Sequence, residues 1–435
     1  MKSVVRSIFL LAALAGGQDI SGEWQGTVQM GPTALRTVWK FSRTDSGAWS
    51  GVLHSIDQSS DWGSGFQMDS VTVEGADVKF ASAQIQGSYE GKLSADGGVI
   101  TGTWTQGRSI PLELHRPSPE TAWKDPAAHS VRMLPVDKDA ASGKDIRLEV
   151  LDWGGSGRPM VFIAGLGNTA HVFDKFAPKF AAQYHVYGVT RRGFGDSSAP
   201  ATGYQADRLG DDVLAVLDAL KIEKPVLVGH SLGGEELSSI GSRYPGKVAG
   251  LIYLDAGYSY AFYNKERGDL NIDLAELKRK LAQIEPGGGV ADPRPILRDL
   301  IEATLPAVDR DLREQQKTLA NVPPAMLAAQ FGQPAPPVLR EIMAGMQKYT
   351  SIAAPALAIY AVPHDRGPQP PGADPAAQAA QDARDEETTG AQARAFEAGL
   401  PSAKVVRIPH ANHFVFRSNE DDVIREMNAF LAGLK

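Results

Sequence analysis

Between Ile20 and about Arg116, apolar and polar positions alternate in short runs. Examples are Leu35-Thr37-Trp39-Phe41, Val71-Val73, Val78-Phe80, Tyr89-Gly91-Leu93 and Ile110-Leu112-Leu114. Turn sequences separate them: Glu74-Gly75-Ala76-Asp77, Ala95-Asp96-Gly97-Gly98 and Gln106-Gly107. A period of two broken by frequent turns predicts an antiparallel β barrel or sandwich over residues 20–116. Residues 117–130, PSPETAWKDPAAHS, hold three prolines and no periodic pattern, which predicts a linker.

From Val131 the pattern changes. Apolar runs of strand length at Val131–Val136, Ile146–Leu151, Met160–Ala164, His185–Thr190, Val226–Val228, Leu251–Leu254, Pro355–Ala361 and Lys404–Ile408 alternate with stretches of helical period. Those stretches are Val172–Ala182, Ala206–Leu220, Glu235–Arg243 and Asp421–Leu434. Alternation of this kind predicts an α/β, doubly wound, mostly parallel sheet over 131–435. Between about 258 and 350 the alternation stops. Leu270, Leu274, Leu277, Leu281 and Ile284, then Ile296, Leu300 and Ile301, then Leu339, Ile342, Met343 and Met346, fall at helical spacing. A helical cap over the sheet's carboxyl edge is expected there. Residues 367–391, rich in Ala, Gln, Asp and Pro, read as a mobile excursion.

Composition narrows the class. A length of 435 residues exceeds one average core, in keeping with two domains. The net charge of −7 and the lack of a basic run argue against nucleic acid as a partner. Cysteine is absent, which excludes disulfides and thiolate catalysis. The first 17 residues, MKSVVRSIFLLAALAGG, carry Lys2 and Arg6, an apolar stretch, and Ala13-Leu14-Ala15 as a small-x-small cleavage site. This is the pattern of a signal peptide, too short for a membrane span, so an exported protein, periplasmic or secreted, is expected. Nothing in the sequence speaks to the oligomeric state.

The chemistry centres on PVLVGHSLGG at 225–234. A buried strand leads into Gly229-His230-Ser231-Leu232-Gly233, and a helix follows. Strand, tight turn and helix are the context in which a G-x-S-x-G serine becomes a nucleophile, the glycines letting strand and helix backbones approach. A serine hydroxyl needs a base, and the base an orienting acid. Each partner is available after a strand of the same sheet: Asp255, Asp365, His410 and His413. No His/Asp/Glu cluster has metal spacing and no phosphate loop appears, so neither metal nor other cofactor is expected.

At these residues the chain resembles the α/β-hydrolase fold superfamily over about 131–435. GHSLGG matches its nucleophile elbow, RRGFGDS at 191–197 its R-G-x-G-x-S turn, and PHANHFVF at 409–416 the loop bearing its histidine. The resemblance implies Ser231 as nucleophile and His413, rather than His410, as base. It favours Asp365 as acid, because the family usually keeps the acid after the penultimate strand, with Asp255 as the alternative. It implies backbone oxyanion donors at Leu232 and Leu166. Tyr258, Tyr260 and Phe262, between the Asp255 strand and the cap, are candidates for an acyl pocket. Arg191 and Arg192 read as braces for their turn, and Glu235 and Glu236 as first-turn acids favoured by the helix dipole. SYEGKL and GTWTQG in the first domain resemble the lipocalin-like β-domain that precedes hydrolase domains in some exported bacterial enzymes. The expected function is an ester-cleaving serine hydrolase acting on a small acyl substrate, with amide or peptide hydrolysis, or ligand binding without turnover, as alternatives.

Overall fold

The computed structural model describes residues 19–434 apart from 31–32, 45, 56–65, 84, 123–128, 366–374 and most of 321–336. The expected signal peptide lies outside the described residues. The chain separates into two compact units near residues 123/124.

The first unit is one antiparallel sheet of nine strands, curled into a half-barrel. Its order is 66–67, 49–55, 33–43, 22–30, 108–115, 99–106, 87–93, 77–82 and 70–74. The alternation read in the sequence sets the strands' two faces: Asp77–Ser82 and Arg108–His115 bury every second residue. On the buried face Trp39 packs on Phe80 and Trp104, and Tyr89 stacks on Phe80 with ring centroids 4.7 Å apart. The Tyr89 hydroxyl is close to the carbonyls of Ile100 and Leu112, which satisfies a polar tip inside the apolar layer. The expected antiparallel all-β domain is thus present, its sheet curled as a half-barrel; period-two alternation sets which residues face inward.

The second unit is an eight-stranded sheet. Its strands are β1 (Ser130–Lys138), β2 (Asp145–Gly154), β3 (Arg158–Ile163), β4 (Tyr184–Val189), β5 (Val226–His230), β6 (Gly250–Leu254), β7 (Ala356–Ala361) and β8 (Ala403–Ile408). The spatial order is β1-β2-β4-β3-β5-β6-β7-β8, with β1 and β2 antiparallel and the pairs from β3 onward parallel. β5, β6 and β7 are buried along their whole length, as near-continuous apolar runs require when both faces are covered. Helices α1 (Ala206–Leu220) and α2 (Gly233–Arg243) pack on one face, where Val213, Leu217, Leu237 and Ile240 join Leu227, Leu251 and Tyr253 in one cluster.

Two expectations change here. The helix expected over Val172–Ala182 is two 3-10 turns, Ala170–Phe173 and Ala177–Phe180. Pro178 lacks the N–H that a continuous helix needs, and the short turns still seat Phe173, Phe176 and Phe180 around Phe162. Between β6 and β7 lie α3 (Leu270–Ile284), α4 (Arg294–Asp299), α5 (Leu305–Leu319) and α6 (Pro337–Gly345). Asp269 caps α3, accepting from the N–H of Asn271 and Ile272. The stretch read as a mobile excursion is, where described, helical: α7 (Pro375–Asp385) and α8 (Ala391–Gly399) join through a π turn. Ala and Gln favour helix, and Phe396 anchors the second helix in the core.

Candidate active site

β5 ends at His230, and Ser231 has a left-handed backbone with φ +49°. A non-glycine residue holds that conformation only where its surroundings over-determine it. The glycines do so by contact. A Cβ on Gly229 would lie 2.7 Å from the backbone of Gly233, and one on Gly234 would lie 2.1 Å from the Ala256 carbonyl. The turn therefore closes only with hydrogen at both positions, and α2 begins directly behind Ser231.

The loop after β3 lies over the serine. A Cβ on Gly165 would come within 2.9 Å of Ser231 Cβ, so the backbone of this loop touches the turn directly. Arg191, almost fully buried, holds the loop from beneath: its guanidinium donates to the carbonyls of Ala164 at 3.0 Å and Gly165 at 3.4 Å. The same guanidinium is paired with Glu236 on α2. Arg192 forms a two-pronged pair with Asp212, at 2.5 and 2.6 Å. Both arginines brace the loop–helix framework, as expected, and Glu236 is engaged by Arg191. Glu235 is fully buried, with both carboxylate oxygens unpartnered. Burial, with the neighbouring Glu236, pushes its carboxyl well above the usual range.

His413 lies in the loop after β8. His230 Nε2–H donates to its carbonyl at 3.0 Å, and the two rings are 4.7 Å apart, which ties the His413 loop to the serine turn. His230 is buried and held neutral; burial, and then the charge of His413, pull it down to about 3. His410 is exposed in a left-handed turn, its N–H donating to Pro363.

Sequence preference and geometry part over the acid. The carboxylate that reaches His413 belongs to Asp255, whose Oδ2 lies 2.7 Å from Nδ1. The preferred Asp365 is exposed, and its backbone N–H donates to the Ala411 carbonyl at 2.8 Å. Asp255 directly follows β6 and, like Ser231, is left-handed, with φ +45°. It is fully buried and saturated with donors. Oδ1 accepts from the Ala361 N–H at 3.0 Å; Oδ2 also accepts from His364 Nε2 at 2.9 Å and Tyr258 OH at 3.0 Å. Burial raises its carboxyl, but the hydrogen bonds from His364 and His413 outweigh that and hold it at about 2.

Of the three aromatic candidates, Tyr258 bonds the carboxylate, Tyr260 is half-buried near the serine turn, and Phe262 is buried against Phe396 in the core. His364 and Asp385 were missed. His364 sits one position before Asp365, and its only sequence signal is that nearness to the strand end. Leu166 is half-buried in the loop over Ser231, and Leu232 is buried at the start of α2.

Among the described residues, two groups of side chains have donor atoms near enough to share a metal: His129, His171 and Asp174, and Asp255, His364 and His413. In the first, His171 is ion-paired with Asp174 at 2.8 Å and faces Glu149 at 3.7 Å. In the second, both imidazoles already bond Asp255.

This sheet order, with a serine turn after its central strand and a histidine–aspartate pair beside it, defines a hydrolase framework. The profile of the alpha/beta hydrolase family matches residues 160–426, and the chain belongs to that family. Among curated relatives, 2-(acetamidomethylene)succinate hydrolase of Mesorhizobium japonicum is 32% identical over 101 residues, 23% of this chain and 36% of the relative. 3-Oxoadipate enol-lactonase 2 of Acinetobacter baylyi is 35% identical over 98 residues, 22% and 37% of the two chains. The match thus spans little more than a third of either relative. Among solved structures, a thermophilic esterase from Thermogutta terrifontis aligns at 20% identity, covering 70% of this chain and 98% of its own, with a TM-score of 0.42.

Proposed function

We propose that this protein is an exported serine hydrolase that cleaves carboxylic esters of small acyl substrates through an acyl-enzyme. The observation that carries the reading is the 2.7 Å contact between His413 Nδ1 and Asp255, with the His413 loop bonded to the residue preceding a left-handed Ser231. In the reaction, Ser231 Oγ attacks the acyl carbon while His413 Nε2 takes its proton. Asp255 accepts from Nδ1–H and stabilises the imidazolium that forms. The tetrahedral oxyanion is met by the N–H groups of Leu232, at the positive end of α2, and of Leu166. Collapse returns the proton to the leaving alkoxide, and water then releases the acid by the same steps in reverse order. Tyr258 and Tyr260 border the acyl group.

The test is labelling with a fluorophosphonate probe, followed by a screen of acyl esters against aminoacyl amides. Labelling that disappears in Ser231→Ala, with ester turnover exceeding amide turnover, supports the reading. A folded protein that never labels points instead to ligand binding without turnover. Export is tested separately, by cell fractionation and by sequencing the amino terminus of the mature chain.

A further inference from the structure

Asp255 serves more than one histidine. The same Oδ2 that bonds His413 also accepts His364 Nε2–H at 2.9 Å, and beyond His364 stands a second carboxylate. Asp385 Oδ2 lies 2.7 Å from His364 Nδ1 and accepts the His364 backbone N–H at 2.6 Å. Asp385 is itself held by Thr389 Oγ1 at 2.8 Å. The result is a line of four groups, Asp385–His364–Asp255–His413, running from α7 to the loop after β8. With a carboxylate on each ring nitrogen, His364 must donate twice, and only an imidazolium has two N–H groups. Burial opposes that charge, but Asp255 first and Asp385 after it outweigh burial and raise His364 to about 9.

Resting on the serine-hydrolase reading above, we propose that His364 is a positioning residue: it fixes the Asp255 carboxylate toward His413 and, as a cation one carboxylate away, restrains how readily His413 takes up a proton. The groups facing His364 are Asp255 from the end of β6, Tyr258 from the loop behind it, Asp385 from α7, and the His413 ring, its centroid 6.4 Å away. Tyr258 is held protonated by burial, then by the charge of Asp255. The balance around Asp255 is therefore one carboxylate shared between a standing imidazolium and a catalytic imidazole. Without the standing cation, Asp255 would draw a proton onto His413 more strongly, and free enzyme would lose its base at a higher pH. Asp385 keeps the cation in place by bonding its ring and its backbone together.

The experiment compares full-length wild type, His364→Gln and Asp385→Asn. Both kcat/KM for an ester and the second-order rate of fluorophosphonate labelling are followed against pH. Glutamine keeps a donor toward Asp255 and removes the charge. At the 6.4 Å ring separation, across a half-exposed site, its removal moves the acid limb of both profiles upward by about one pH unit. Asp385→Asn, which loosens the hold on the cation while Asp255 still keeps it charged, moves the limb by less. A purely structural His364 would lower the plateau and leave the limb where it is, so an unmoved limb in both variants overturns the proposal. So does a wild-type His364 whose imidazole NMR signals titrate below pH 7. A folded wild type that the probe does not label overturns the nucleophile reading and this proposal together; a labelled enzyme with an unmoved limb overturns this proposal alone.

Discussion

Replacing Asp255 by asparagine, with Asp365→Asn as its control, tests which carboxylate serves His413. The Asp255 oxygen is 2.7 Å from His413 Nδ1, which places the carboxylate and imidazolium charges roughly 4 Å apart. At an effective dielectric of about 20 such a pair is worth ~4 kcal/mol, or ~1000-fold in rate, when the imidazolium forms in the transition state. Asparagine adds a second difficulty. Asp255 accepts from Ala361 N–H on one oxygen and from three side chains on the other, so an amide NH2 must face a donor. The partly buried His364 imidazolium also loses one of its two counter-charges. Removing one member of a buried pair costs about 3–5 kcal/mol of stability. Asp255→Asn should therefore lower kcat/KM by ~1000-fold or more and depress the unfolding midpoint in urea. Asp365→Asn, at an exposed position, should stay within about twofold of wild type on both measures. Steady-state kinetics at saturating and limiting ester, beside urea melts, supply the numbers. A large loss in Asp365→Asn with near-normal Asp255→Asn would refute the reasoning.

Three further outcomes rest on the same contacts. Gly165→Ala places a methyl 2.9 Å from Ser231 Cβ; it should cut the rate of probe labelling by at least ~100-fold while the melting curve moves little, and unchanged labelling would mean the loop lies elsewhere. Arg191→Met strands Glu236 without its counter-charge and frees the carbonyls of Ala164 and Gly165, so it should cost about 3–5 kcal/mol in denaturant titration. Stability should also fall in alkali. His171, which burial lowers but Asp174 and Glu149 raise to about 9, and His364, also near 9, both sit above the ordinary 6.5. Each stabilises fully below pH 6.5 and loses that contribution as pH rises through 9, about 3 kcal/mol apiece. Asp255, held near 2, works oppositely: its contribution is complete above 3.8 and vanishes toward pH 2. Urea titrations between pH 5 and 10 should show a steady decline, and a flat or rising profile would contradict it.

What could be read from the sequence depended on whether one residue type alone satisfies a local constraint. The serine turn was legible because Gly229 and Gly233 stand where any side chain would collide with backbone, and nothing but glycine fits. The strands of the first unit, and with them its antiparallel all-β class, were legible through their alternation; how far the sheet curls is set by the pairing of distant strands. Pro178 gave a local signal against the crossover helix, outweighed by the apolar period of Val172–Ala182. Residues 367–391 read as an excursion from their low-complexity composition, yet the Ala and Gln there are strong helix formers, and the part from 375 on is helical. The acid was illegible in a deeper sense. Asp255 and Asp365 each follow a strand of the sheet, and the choice between them turns on one backbone torsion.

That torsion links Asp255 to Ser231. β5 and β6 run parallel with His230 opposite Leu254, so the next residue on each strand, Ser231 and Asp255, emerges side by side at the carboxyl edge. Both are left-handed, at a cost of roughly 1–3 kcal/mol each. The strands behind them can hold that strain because they are buried throughout and bonded on both sides; Ser231 N–H donates to Leu254 and Asp255 N–H to Ile359. An acid on the adjacent strand needs only a short reach to an imidazole that is already tied to the serine turn through His230. With that place filled by Asp255, the end of β7 is open to a different group, and His364 stands there. Moving the acid one strand inward is thus what makes room for a second histidine on the same carboxylate. Restoring it should undo the arrangement: His364→Asp combined with Asp255→Asn returns a carboxylate to the strand end where the family usually carries one. If residue 364 reaches His413 from there, the double variant recovers at least ~10-fold of the activity lost in Asp255→Asn alone. No recovery in a double variant that melts like the single one would show that the two strand ends are not interchangeable.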